Sequence, residues 1–84
     1  MVYLYLIQNK SGALYFGATT NLRQRIFDHN AGRSLATQGS EWQLVYYEAF
    51  RAEKDARDRE HQIKFHGQAK RRLKQRLKNS LEQS

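Results

Sequence analysis

Ala13-Leu14-Tyr15-Phe16-Gly17, followed by Leu22, Arg25, Ile26 and His29, is the stretch in which a short strand hands over to a helix. Gly17 closes the strand, where the lack of a Cβ lets the backbone bend or another group come close. Thr20 or Asn21 can cap the helix, Leu22, Ile26 and Ala31 supply part of its apolar side, and Gly32 stops it. Arg25, Ile26 and His29 follow Leu22 at i+3, i+4 and i+7, so two polar groups share the inward-leaning face with Leu22 and Ile26. Such placement asks for a reason beyond packing.

Working outward, Tyr3-Leu4-Tyr5-Leu6-Ile7 has strand composition and runs into the turn-forming Asn9-Lys10-Ser11-Gly12, so a hairpin is expected ahead of the helix. Whether Tyr5 and Tyr15 share a face depends on the turn type. Residues 33 to 41 read as a surface loop, and residues 42 to 50 as a third strand, central or well covered in its sheet. In the helical pattern of 52 to 66, Ala52, Ala56 and Ile63 form a stripe that Glu60 interrupts, and a buried acid needs a cation, a metal or a wet pocket. Past Gly67, Ala69, Leu73, Leu77 and Leu81 mark a narrow apolar stripe on a last helix. The expected fold is α/β, a small three-stranded antiparallel sheet flanked by helices in the order β-β-α-β-α-α, with residues 1–84 as a single domain.

Eighty-four residues support one core, and the absence of cysteine excludes both a disulfide framework and a Cys-based zinc site. His61 and His66, without ligand spacing, read as surface or packing residues. No signal peptide or membrane-length apolar run is evident, so a cytoplasmic protein without membrane contact is expected. The net charge of +7 is localised: residues 1 to 63 are nearly balanced, whereas Lys64, Lys70, Arg71, Arg72, Lys74, Arg76 and Lys78 follow without an intervening acid. A basic stripe of this kind fits phosphate binding and makes nucleic acid the leading partner, with a solvated solubility face as the plain alternative.

These residues together carry a resemblance. Tyr3-Leu4-Tyr5 and Tyr15-Phe16-Gly17 match the two tripeptides that name the GIY-YIG nuclease superfamily. Arg25, His29 and the glutamate segment Arg59-Glu60-His61-Gln62-Ile63-Lys64 follow in the family's order, and the chain is most similar to the short stand-alone bacterial proteins of that superfamily. The resemblance covers nearly the whole chain. It implies a metal-dependent endonuclease that hydrolyses DNA phosphodiester bonds, structure-directed or weakly sequence-selective, with repair or recombination as its setting and RNA still open as substrate. Glu60 would anchor Mg2+ or Mn2+, Arg25 would steady the scissile phosphate, Tyr5 would be the general base, and Tyr15 and His29 would complete the pocket. A late asparagine of the family corresponds to Asn79. A guanidinium and a metal both suit the charge of a transferring phosphoryl group.

Each assignment has a structural counterpart. Tyr5 and Tyr15 can be sheet aromatics, Arg25 and Glu60 an interhelical salt bridge, and His29 a helix-end group on terminal carbonyls. Ala18 departs from the pattern, since many relatives carry a lysine directly after the second tripeptide. With no appended recognition domain, sequence specificity is expected to come from a separate protein partner or to be weak. A non-catalytic nucleic-acid-binding module that keeps the fold is the alternative function, and a protein-interaction module whose basic helix meets an acidic partner is a third.

Overall fold

A computed structural model describes residues 1–32 and 39–81. Its elements are β1 (Val2–Asn9), β2 (Leu14–Thr19), α1 (Leu22–Asn30), β3 (Trp42–Phe50), α2 (Glu53–Phe65) and α3 (Gly67–Arg76), the expected β-β-α-β-α-α order. All strand pairings are antiparallel, and the sheet runs β2-β1-β3. Most of the loop expected over 33 to 41 lies outside the described residues.

The hairpin forms for the reasons its turn residues suggest. Gly12 takes a φ of 89°, a region open to glycine at no steric cost, while the Asn9 side-chain oxygen accepts from the backbone N–H of Ser11 at 3.1 Å and of Ala13 at 2.9 Å. The resulting register pairs Tyr5 with Gly17 and Ile7 with Tyr15. Residues two apart share a face, so Tyr5, Tyr15 and Gly17 stand on the same side of the sheet, which the sequence had left open.

The third strand differs from expectation: β3 is an edge and β1 the centre. The reason lies in the burial of the two strands. Leu4, Leu6, Tyr5 and Ile7 are buried on both faces of β1, whereas Gln43, Leu44, Tyr47 and Ala49 of β3 are exposed. Strand-forming composition is shared by both, but only an apolar run without alternation marks a strand covered on both sides. A bulge opposite Leu6 and Ile7 inserts Val45 and resets the alternation of β3.

Two apolar clusters hold the layers together. On one face Leu4, Leu6 and Phe16 pack with Ile63 of α2, with Leu73 of α3 and with Leu77 just after it. On the other, Tyr5, Ile7 and Trp42 pack with Tyr15 and with Leu22 and Ile26 of α1. Helix α1 starts at an Asn21 cap, whose side-chain oxygen accepts from Gln24 N–H at 3.1 Å. It is tied to β3 at its far end by Asn30, which accepts from Trp42 N–H at 2.7 Å and donates to the Trp42 carbonyl at 3.1 Å. Helices α2 and α3 meet at His66, whose extended backbone breaks the helix one residue before Gly67.

Candidate active site

The site is assembled over the β1–β2 pair on the face of the sheet that α1 covers, and Gly17 explains why. A Cβ built at Gly17 would lie 2.8 Å from Tyr5 Cε1 and closer still to the end of the phenol, so the Tyr5 ring occupies the space that any side chain at position 17 would need. Tyr5 therefore leans from the central strand across the edge strand. There its hydroxyl meets two groups of α1: His29 Nε2 at 2.8 Å and Arg25 Nε at 3.3 Å. These are the two polar residues that helical spacing put on the inward face, and their reason for being there is Tyr5.

A guanidinium only donates, so the Tyr5 oxygen accepts from Arg25. The direction of the Tyr5–His29 bond follows the imidazole tautomer: Tyr5 donates when His29 Nε2 is bare and accepts when that nitrogen carries the proton. The electrostatics set the charge states. His29 is fully buried, and burial followed by the nearby Arg25 charge pushes its pKa down against a weaker opposing effect of Asp28, which keeps the imidazole neutral. Burial pushes the Tyr5 pKa up and outweighs the lowering by Arg25, while Tyr15 and Glu60 add to the rise. Tyr5 is thus a phenol, not a standing phenolate.

Tyr15 packs its ring edge-on to His29 with centroids 5.1 Å apart, and Lys64 Nζ lies 5.7 Å from the centroid of the Tyr15 ring. Lys64 also bonds Glu60 Oε2 at 3.0 Å, while Arg57 reaches Glu60 Oε1 at 3.3 Å. The Glu60 side chain is only 16% exposed. Its partners are cations of its own helix, so the interhelical Arg25–Glu60 bridge is not what holds either residue. His29 is likewise no mere helix-end group. Helix α2 is pinned by its neighbouring residue: Arg59 Nε and its terminal nitrogen donate to Glu48 of β3 at 3.1 to 3.2 Å, and Tyr46 donates to the same carboxylate at 2.8 Å. Nothing in the spacing of residues 46, 48 and 59 announces this clamp.

The predicted residues thus divide. Tyr5, Tyr15, Arg25 and His29 come together, with Glu60 near enough for its charge to act on Tyr5. Lys64, expected among the nucleic-acid contacts, lies beside the cluster, over Tyr15 and bonded to Glu60. Ala18 pairs with Leu4 and so faces the opposite side of the sheet from Tyr5, and the cation over Tyr15 comes from α2 instead. Asn79 lies exposed beyond α3, with no hydrogen bond to the cluster. The cations of α3, with Lys78 just after it, fall on two sides. Lys70, Arg71, Lys74 and Lys78 line one groove, with Lys70 Nζ 6.0 Å from the Phe16 ring of β2, while Arg72 and Arg76 border Arg59 and Gln62 of α2.

Among the described residues, no three His, Asp or Glu side chains form a metal cage. Glu60 supplies the one carboxylate of this set, a ligand type that suits a hard cation such as Mg2+ or Mn2+, which keeps most of its waters and takes further oxygens from phosphate, and that does not make a structural zinc site.

A tyrosine–histidine–arginine cluster against an edge strand, faced by a glutamate helix, has the residue order and topology of one nuclease class. The model of the GIY-YIG catalytic domain matches residues 1–75, and the chain belongs to that family. Its relatives include a UPF0213 protein of Haloquadratum walsbyi, 39% identical over 64 residues that cover 74% of this chain and 72% of the relative. A UPF0213 protein of Staphylococcus haemolyticus is also 39% identical over 64 residues, covering 74% and 78%. The solution structure of a UPF0213 protein from Bacillus halodurans is similar in fold, with a TM-score of 0.54 and 31% identity over 87% of this chain and 82% of that one. Among the described residues, no helix is long and apolar enough to cross a membrane.

Proposed function

We propose that the protein is an endonuclease that hydrolyses DNA phosphodiester bonds with the help of Mg2+ or Mn2+, acting by structure or with weak sequence preference in repair or recombination. The observation that supports this reading is the hydrogen-bonded cluster Arg25–Tyr5–His29, because it joins a cation, a hydroxyl and a neutral imidazole on one face of the sheet. A phosphate seated against Arg25 and Lys64 puts its charge where the two cations converge. Tyr5 then takes a proton from the attacking water as its own passes to His29 Nε2, so the buried phenol never has to carry a full negative charge. Tyr15 holds the His29 ring in place and limits the room around it. A Glu60-bound ion would polarise the phosphate oxygens and lower the pKa of its water. The neutral state of His29 and the raised pKa of Tyr5 both support the relay over a standing phenolate.

The test is incubation of the purified protein with labelled single-stranded, duplex and branched DNA in Mg2+, in Mn2+ and in chelator, beside Tyr5→Phe and Glu60→Gln. Nicking that needs the ion and falls about 100-fold or more in Tyr5→Phe is expected. Salt-sensitive binding without cleavage of any substrate would instead establish the non-catalytic binding module.

A further inference from the structure

Helix α2 presents two neighbouring stripes. Glu60 and Lys64, bonded to each other, lie toward Tyr15; His61 and Phe65, each one residue further on, form the next stripe. Phe65 is 70% exposed, while Ile63 on the same turn is fully buried, so the phenyl ring contributes little to the core. A single exposed apolar residue is ordinary. Three features set this one apart. The His61 ring packs against Phe65 with centroids 4.7 Å apart, and His66 adds a second imidazole 6.1 Å from His61, so the phenyl is held in an aromatic group of three. The residue before it, Lys64, is the cation lying over Tyr15. Beyond it on α3 lies Lys70, whose ammonium reaches the Phe16 ring of β2.

We infer that Phe65, steadied by His61, is a stacking platform for an unpaired nucleobase of the strand whose phosphate lies at the Tyr5–Arg25 cluster, and that the substrate is DNA with a single-stranded segment. The inference rests on the phosphodiester reading above. An exposed ring on a basic stretch of chain offers what an unpaired nucleotide needs, a π-face for the base and positive charge along α3 for the phosphates that follow. A base inside a duplex has no free face to offer. Charge complementarity favours this occupant over a protein segment, since Phe65 leads into α3, which carries Lys70, Arg71, Arg72, Lys74 and Arg76 and no acid, while Asp55 and Asp58 border only the far side of His61.

Binding of the full-length chain to a fluorescent oligothymidylate 15-mer and to a blunt 15-base-pair duplex, both in chelator to prevent cleavage, tests the platform. Phe65→Ala is expected to weaken oligothymidylate binding by about 5- to 100-fold and duplex binding by less than about 2-fold, with Phe65→Tyr restoring the loss. Equal losses on both ligands, or no loss on either, would overturn the platform. So would a wild-type dimer that Phe65→Ala converts to monomer, because the ring would then serve self-association. Metal-dependent nicking that persists in Phe65→Ala with an unchanged substrate preference would leave the nuclease reading standing and remove only the platform. Failure of the wild-type protein to bind either ligand would remove both.

Discussion

At the scale of single residues, the site depends on an absence. Tyr5 reaches its partners only because position 17 has no side chain, and the Tyr5–Gly17 pairing places the two directly across the hairpin. Gly17→Ala forces the ring aside or the edge strand outward, the kind of overpacking that costs about 1 to 3 kcal/mol. Because the displaced group is the hydroxyl itself, the expected result is a loss of nicking far larger than the fall in thermal midpoint; activity that survives while the midpoint drops would show that Tyr5 can re-form its bonds. His29 yields a second expectation. Its folded pKa lies below its unfolded value of about 6.5, so on unfolding at mildly acidic pH the imidazole takes up a proton. The stability this neutral burial preserves is complete above that unfolded value and is lost as the pH falls through the folded one. Thermal midpoints measured from pH 7.5 down to pH 5 should decline, and nicking should decline with them as His29 loses the lone pair that receives the Tyr5 proton. A midpoint flat over that range would exclude a buried neutral His29.

Elements make visible what was legible beforehand. Strand and helix order followed from turn residues and periodicity, and the inward polar pair Arg25 and His29 was readable because α-helical spacing is local. Strand order in the sheet does not follow from composition, which β1 and β3 share; it was carried by the unbroken apolar run of β1 against the Gln43 and Glu48 interruptions of β3. The setting of α2 was hidden: Glu48, Tyr46 and Arg59 are brought together by the crossing of a helix over an edge strand, and no pattern within either element encodes it. That clamp positions the residue after Arg59, which is Glu60. Both clamp side chains retain some exposure, 26% for Arg59 and 20% for Glu48, so solvent screens part of the attraction. Glu48→Gln should cost about 1 to 2 kcal/mol in urea unfolding. It should also lower the apparent affinity for the activating ion, read by titrating Mg2+ in the nicking assay. A stability loss with an unaltered Mg2+ midpoint would make the clamp a fastening of the fold with no part in placing Glu60.

For the whole molecule, the run of basic residues from 64 to 78 proves to be three surfaces. Lys64 lies beside the cluster, Arg72 and Arg76 lie against α2, and Lys70, Arg71, Lys74 and Lys78 line a groove that begins beside the β2 edge. Sequence could show that the cations were concentrated but not that the helix distributes them, because their faces depend on how Leu73 and Leu77 dock onto Leu4, Leu6 and Phe16. The groove and the pocket therefore meet at one strand, with Lys64 on the Tyr15 side of β2 and Lys70 on the Phe16 side. A strand of nucleic acid reaching the cluster can continue around this edge onto α3, each neutralised phosphate releasing counterion as it goes. Replacing Lys70 and Lys74 together by alanine should reduce the slope of log binding constant against log salt on duplex DNA by about 1 to 2, without changing the rate of cleavage at saturating substrate. The same double substitution at Arg72 and Arg76 should leave the slope nearer its original value, since those side chains border α2. Equal slopes for the two double variants would mean that DNA contacts α3 without regard to its faces, and that the track around the β2 edge does not guide the substrate to Tyr5.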